Sequence, residues 1–159
     1  MTRTLTACAA ALLCAVAAPA FAKPDRAFLK DALQGDNSEM TLGRLAARRG
    51  VSPGVREFGR MLAMDHAKAR AEAAAVARRA GAPVTSAMAP EAIAERRKLQ
   101  RLSGRAFDRE FARYMVDDHR KDIREFEEQA AGHGPTARLA EATLPALRKH
   151  LETAQSLTR

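Results

Sequence analysis

Imidazole and carboxylate groups hold divalent transition metals, and this sequence places one such group near the middle of each of four long amphipathic stretches: Glu39, His66, His119 and His150. Glu39 lies eleven residues before Gly50 and His66 thirteen after Pro53; His119 lies thirteen before Gly132 and His150 fourteen after Thr136. At about 1.5 Å of helix rise per residue, the two members of each pair sit within about 3 Å of one height. Their phase also agrees with burial. Glu39 is four before Gly43, His66 four after Leu62, His119 four after Met115, and His150 three after Leu147, so each borders the apolar stripe of its helix. Three imidazoles and a carboxylate at one level could close around a single divalent ion, whereas burying them unpaired would be costly.

Asp65 and Asp118 each precede one of these histidines, and Asp122 follows His119 by one turn. They can accept hydrogen bonds from the rings of neighbouring helices or supply an extra ligand. A metal-free polar layer that fixes helix register is the competing reading of the same residues. His133, in the turn Gly132-His133-Gly134-Pro135, reads as a solvated loop residue.

Zinc, iron, manganese and copper all suit a mononuclear site of this kind. A two-iron centre is not expected: it needs Glu-x-x-His pairs, and the residues three before His66, His119 and His150 are Ala63, Val116 and Leu147. Met61, Met64 and Met115 have the helical spacing of core filler. With no phosphate-binding glycine loop and no nucleophile elbow, the sequence names no catalytic residue and leans away from an enzyme.

The elements that must position these side chains are helices. The chain has 159 residues, enough for one domain; it is 47% hydrophobic but 4% aromatic, without Trp, a profile of helix formers rather than of strand formers. Periodicities of three and four predict main helices over 24–49, 53–80, 105–131 and 136–157, with a short helix over 91–102 in the crossover between the second and third. Ser52-Pro53 is an N-cap followed by proline at the first helical position, Thr136 is the expected cap of the last helix, and Pro145 interrupts it. The fold class is all-α: an antiparallel bundle of two helical hairpins.

Residues 1–22 read as a cleaved signal peptide: Arg3, an uncharged run from Leu5 to Ala18, and Ala20-Phe21-Ala22 before Lys23. Both cysteines, Cys8 and Cys14, fall inside it, so the mature domain, 23–159, would contain no thiolate ligand and no closed zinc site of the finger type. Export to the periplasm or beyond changes the meaning of the formal charge of +8, which would otherwise suggest nucleic acid. Nucleic acid is not expected as a partner, nor is a transmembrane helix in the mature chain; weak attraction to anionic envelope surfaces is. Arg105, Arg109, Arg113, Arg120 and Arg124 form a basic face for such contacts, although the interleaved Glu110, Asp117 and Glu125 favour a solvated, salt-bridged surface.

Four blocks in order, Glu39-Met40 with Leu42-Gly43, Met61 through Asp65-His66, Phe107-Asp108 with Met115 through Asp118-His119, and Leu144-Pro145 through His150-Leu151, resemble the exported bacterial domain of unknown function DUF4142 of the ferritin-like superfamily. The resemblance spans nearly the whole mature chain. It implies a ferritin-like four-helix bundle in the periplasm and supplies no activity or catalytic residues. The expectation is therefore an exported bundle that binds one transition-metal ion through Glu39, His66, His119 and His150, in metal handling or envelope stress. The alternative is a metal-free interaction module that docks an unknown partner, or an anionic envelope component, through its arginine face.

Overall fold

The computed structural model describes residues 23–159, which form five helices: α1 (Lys23–Arg49), α2 (Pro53–Arg79), α3 (Pro90–Arg101), α4 (Gly104–Ala130) and α5 (Pro135–Ser156). The segment read as a signal peptide, with its two cysteines, lies outside the described residues. The fold is an all-α, antiparallel four-helix bundle, with α3 as the extra helix in the crossover. The helices begin and end within one residue of the periodicity limits.

Local chemistry accounts for most of the ends. The Ser52 side chain accepts from the Val55 amide at 3.2 Å, with Pro53 next in line, where a missing N–H costs nothing. Arg78 and Arg79 close α2 against the negative end of its dipole. The start of α5 differs from expectation: Gly134, at a φ of 92°, takes the capping position, and Pro135 opens the helix. Thr136 is instead fully buried; its hydroxyl donates to Asp25 at 2.8 Å and accepts from Gln129 at 3.2 Å, tying the start of α1 to the α4–α5 turn. The last helix runs on through Pro145, which cannot donate to the carbonyl of Glu141; both residues are exposed.

In the bundle, α1 packs along α2, α4 along α5, and α2 against α5, while α3 lies across α1 and α4. The amides of Val51 and Ser52 donate to Asp108 near the start of α4, at 2.9 and 2.8 Å, and Gln129 near its end donates to Asp25 at 2.8 Å. These contacts at opposite ends make α1 and α4 antiparallel. Between α1 and α2 the backbones meet at Gly43 and Gly59: a Cβ on Gly59 would lie 2.5 Å from the Gly43 carbonyl oxygen and 2.6 Å from the Ala47 amide nitrogen. No other residue permits this approach.

The apolar core is divided. One cluster gathers Leu42, Phe58, Leu62, Phe107, Phe111 and Met115; the other gathers Leu29, Leu33, Ala73, Ala77 and Leu139. Along α1 and along α2 the chain passes from one cluster to the other through polar residues, Asp36, Ser38 and Glu39 on α1 and His66 on α2, all buried. The bundle thus contains a polar layer between two apolar ones. Among the described residues, no helix is long and apolar enough to cross a membrane.

Candidate metal centre

The close approach at Gly43 and Gly59 turns the next turns of α1 and α2 toward each other and sets Glu39 against His66. Glu39 Oε2 lies 3.9 Å from His66 Nε2, and Glu39 Oε1 lies 3.6 Å from His119 Nδ1 of α4. His150 enters from α5. The three imidazole centroids are 5.3 to 6.0 Å apart, and each ring offers a nitrogen within 4.8 Å of one from each of the others. Phe58, edge-on to His150 with centroids 6.3 Å apart, closes the apolar side of the cluster. Glu39 and His119 are 0% exposed, His150 1% and His66 4%, so bulk water does not solvate these groups.

Each ring already has one nitrogen committed. His66 Nδ1 is 2.9 Å from Asp36 Oδ1, His119 Nδ1 is 3.0 Å from the Met115 carbonyl, and His150 Nε2 is 2.9 Å from Asp65 Oδ2. All three partners are acceptors, so those nitrogens carry the proton and donate. The opposite nitrogens, His66 Nε2, His119 Nε2 and His150 Nδ1, then bear lone pairs, and none of them has a hydrogen-bond partner; neither does either oxygen of Glu39. Three unpartnered ring nitrogens and a carboxylate lie in this buried core; the ring N–H of His119, 3.6 Å from Glu39 Oε1, is bonded to the Met115 carbonyl instead. Such an arrangement repels itself unless a proton or a cation enters.

Burial, reinforced by His66 and then His150, holds His119 down at about 3, so this ring is neutral at ordinary pH. Burial likewise lowers His150, against the pull of Asp65. Glu39 moves the other way: burial, then the carboxylates of Asp118, Asp122 and Asp36, push it well above the usual carboxylate range. Burial also raises Asp118, Asp36 and, more strongly, Asp122. Glu39 and Asp118 face each other carboxylate to carboxylate, an attractive contact only when they share a proton or a cation.

The structure brings His66, His119 and His150 together from three helices and sets Glu39 of α1 beside His66 and His119, 3.9 and 3.6 Å away. Asp65 reaches across from α2 to orient His150. Asp118 and Asp122 orient no ring; instead each has an oxygen within 4.8 Å of Glu39 and of the other, forming a separate carboxylate group. Asp36 is the residue that sequence reasoning missed. Its signal was a second acidic residue one turn before Glu39 on the same stripe. Met64 is 72% exposed and takes no part, whereas Met115 contributes its carbonyl. On the arginine face, Arg113 pairs with Glu110 and, at 2.8 Å, with Asp117 at the exposed surface.

Known proteins resemble this chain in two respects. A family profile described as a domain of unknown function, DUF4142, matches residues 11–157. A solved structure, a DUF305 fragment from Deinococcus radiodurans, superposes with a TM-score of 0.78 at 19% identity, covering 88% of this chain and 98% of that one. At that identity the likeness concerns the fold. No curated protein matches the chain.

Proposed function

Since the chain belongs to the DUF4142 family, whose description assigns no activity, we propose a function from the site itself: binding of one divalent transition-metal ion by His66, His119 and His150 with Glu39. The observation that carries this reading is the trio of buried ring nitrogens left without partners, while the opposite nitrogen of each ring is held by Asp36, Met115 or Asp65. Ligating histidines in metal sites are oriented in this way, by an acceptor on the far nitrogen that fixes the tautomer and makes the ligand more basic. His119 is already neutral, so loading it does not require removing a proton from the ring. Glu39 would supply the one anionic ligand among the four and, with its pKa raised, would release a proton as the cation arrives. Three imidazoles and a carboxylate suit zinc, iron, manganese or copper.

The N-terminal signal pattern puts this binding outside the cytoplasm, in the periplasm, where the protein would take part in metal handling or protection of the envelope. The test is elemental analysis of the chain purified from the periplasm of a secreting host, with N-terminal sequencing to find cleavage after Ala22. One transition-metal ion per chain is expected in the wild type, and none in a folded His66→Ala/His119→Ala variant. Wild-type protein that stays free of stoichiometric metal after exposure to Zn2+ overturns the proposal.

A further inference from the structure

We infer that Glu39, Asp118 and Asp122 form a second cation subsite, made of oxygen ligands and selective for a hard divalent ion, which shares Glu39 with the histidine site. This rests on the reading above only through that shared glutamate. Each of the three residues offers an oxygen within 4.8 Å of the other two. Glu39 is fully buried, and neither of its oxygens receives a hydrogen bond from any described residue. A carboxylate in that position lacks the donors that buried acceptors otherwise find; the ring N–H of His119, 3.6 Å away, is bonded to the Met115 carbonyl instead. Because it has two oxygens, one can serve the imidazole side while the other serves the aspartates.

The surroundings agree with a cation. Asp118 and Asp122, one turn apart on α4, border a cavity of about 190 Å³ whose wall also includes Asp31, Glu91 and Glu125 against one lysine, Lys121. Lys121 is engaged elsewhere, 3.3 Å from Glu91 and 3.7 Å from Glu125, and among the described residues no ion pair within 4.0 Å reaches Asp118 or Asp122. In a chain with 27 Lys and Arg against 19 Asp and Glu, so acidic a wall is local placement rather than average composition. The cavity also has room for water. Carboxylates plus water are the ligands of Mn2+, Mg2+ and Ca2+, whereas imidazoles favour zinc, copper and iron, so the two sides of Glu39 differ in the ions they prefer. A smaller cavity, of about 30 Å³, is lined by both Asp122 and His66.

Mn2+ is the probe, followed by loss of the free-ion electron paramagnetic resonance signal as the full chain is titrated, with Zn2+ stoichiometry measured on the same samples. Wild type is expected to bind one Mn2+ that Zn2+ at the histidines does not displace. Asp118→Asn/Asp122→Asn should weaken Mn2+ at least about 10-fold and keep one Zn2+; Asp122→Asn alone serves if the double variant does not fold. His66→Ala/His119→Ala should lose Zn2+ and still take up Mn2+. No bound Mn2+ in wild type, or unchanged Mn2+ affinity in a folded aspartate variant, overturns the subsite even if Zn2+ binds. Mn2+ binding that needs Asp118 and Asp122, in a wild type that binds no Zn2+, supports the subsite and overturns the histidine reading instead.

Discussion

Replacing Glu39 with Gln should make the metal-free protein more stable and the metal-loaded protein weaker. Glu39 is 0% exposed; neither of its oxygens has a hydrogen-bond partner, and one lies within 4.8 Å of oxygens of Asp118 and Asp122. Leaving a buried polar group unpaired costs about 1–3 kcal/mol, more for a charged one, and a Gln amide could donate to the facing aspartates. The sign of the pH dependence follows from the raised pKa of Glu39. Between the unfolded pKa, about 4.3, and the higher folded one, the native chain holds more protons than the unfolded chain, so wild-type stability falls as pH rises through that window. Gln does not titrate. The advantage of the variant should therefore be small near pH 4 and grow toward pH 8, where about 1–3 kcal/mol corresponds to a Tm rise of roughly 4–12 °C for a domain of this size. The assay is thermal unfolding of chelator-treated wild type and Glu39→Gln from pH 4 to 8, followed by Zn2+ titration calorimetry, in which the variant should bind at least about 10-fold more weakly. A variant less stable than wild type at pH 8, or one with unchanged Zn2+ affinity, would refute the idea that Glu39 is kept for a cation at the expense of the fold.

Asp65→Asn should remove the anionic acceptor that orients His150, and Asp36→Asn the one that orients His66; each is expected to weaken Zn2+ binding by about 10- to 100-fold in competition titrations with far-UV circular dichroism unchanged. Gly59→Ala forces a Cβ to within 2.5 Å of a backbone oxygen of α1 and should cost about 1–3 kcal/mol in urea unfolding, whereas Gly35→Ala, with nothing within 4 Å of the added atom, should gain about 0.5–1 kcal/mol. Because His119 titrates at about 3 in the fold against 6.5 when unperturbed, the unfolded chain binds a proton between those values that the native chain refuses. The urea midpoint of metal-free protein should accordingly carry a component that falls as pH drops from about 6.5 toward about 3, and His119→Gln should remove it.

The helices were legible because their signals are local. Stripes at spacings of three and four, the Ser52-Pro53 start and the glycine-rich turns each act within one or two turns of chain, and the sequence determined by itself that there are five helices and where they lie. It also determined that Glu39, His66, His119 and His150 share a height and a buried phase, since a helix converts residue number into distance. What it could not determine was how the side chains would divide their hydrogen bonds. Asp118 and Asp65 both precede a histidine, yet Asp65 reaches a ring on another helix whereas Asp118 turns to Glu39, because neighbours on a helix lie about 100° apart and packing alone decides what each faces. Asp36 carried only its position one turn before Glu39, and its pairing with His66 depends on how closely α1 and α2 approach at Gly43 and Gly59. Thr136 had the composition of a cap and became a buried tie to Asp25 because Gly134 could adopt the backbone that starts α5. Residue type and period fix each helix and its inward face, while the free lone pairs at the centre exist only once four helices have been pressed together and every competing donor has been assigned elsewhere.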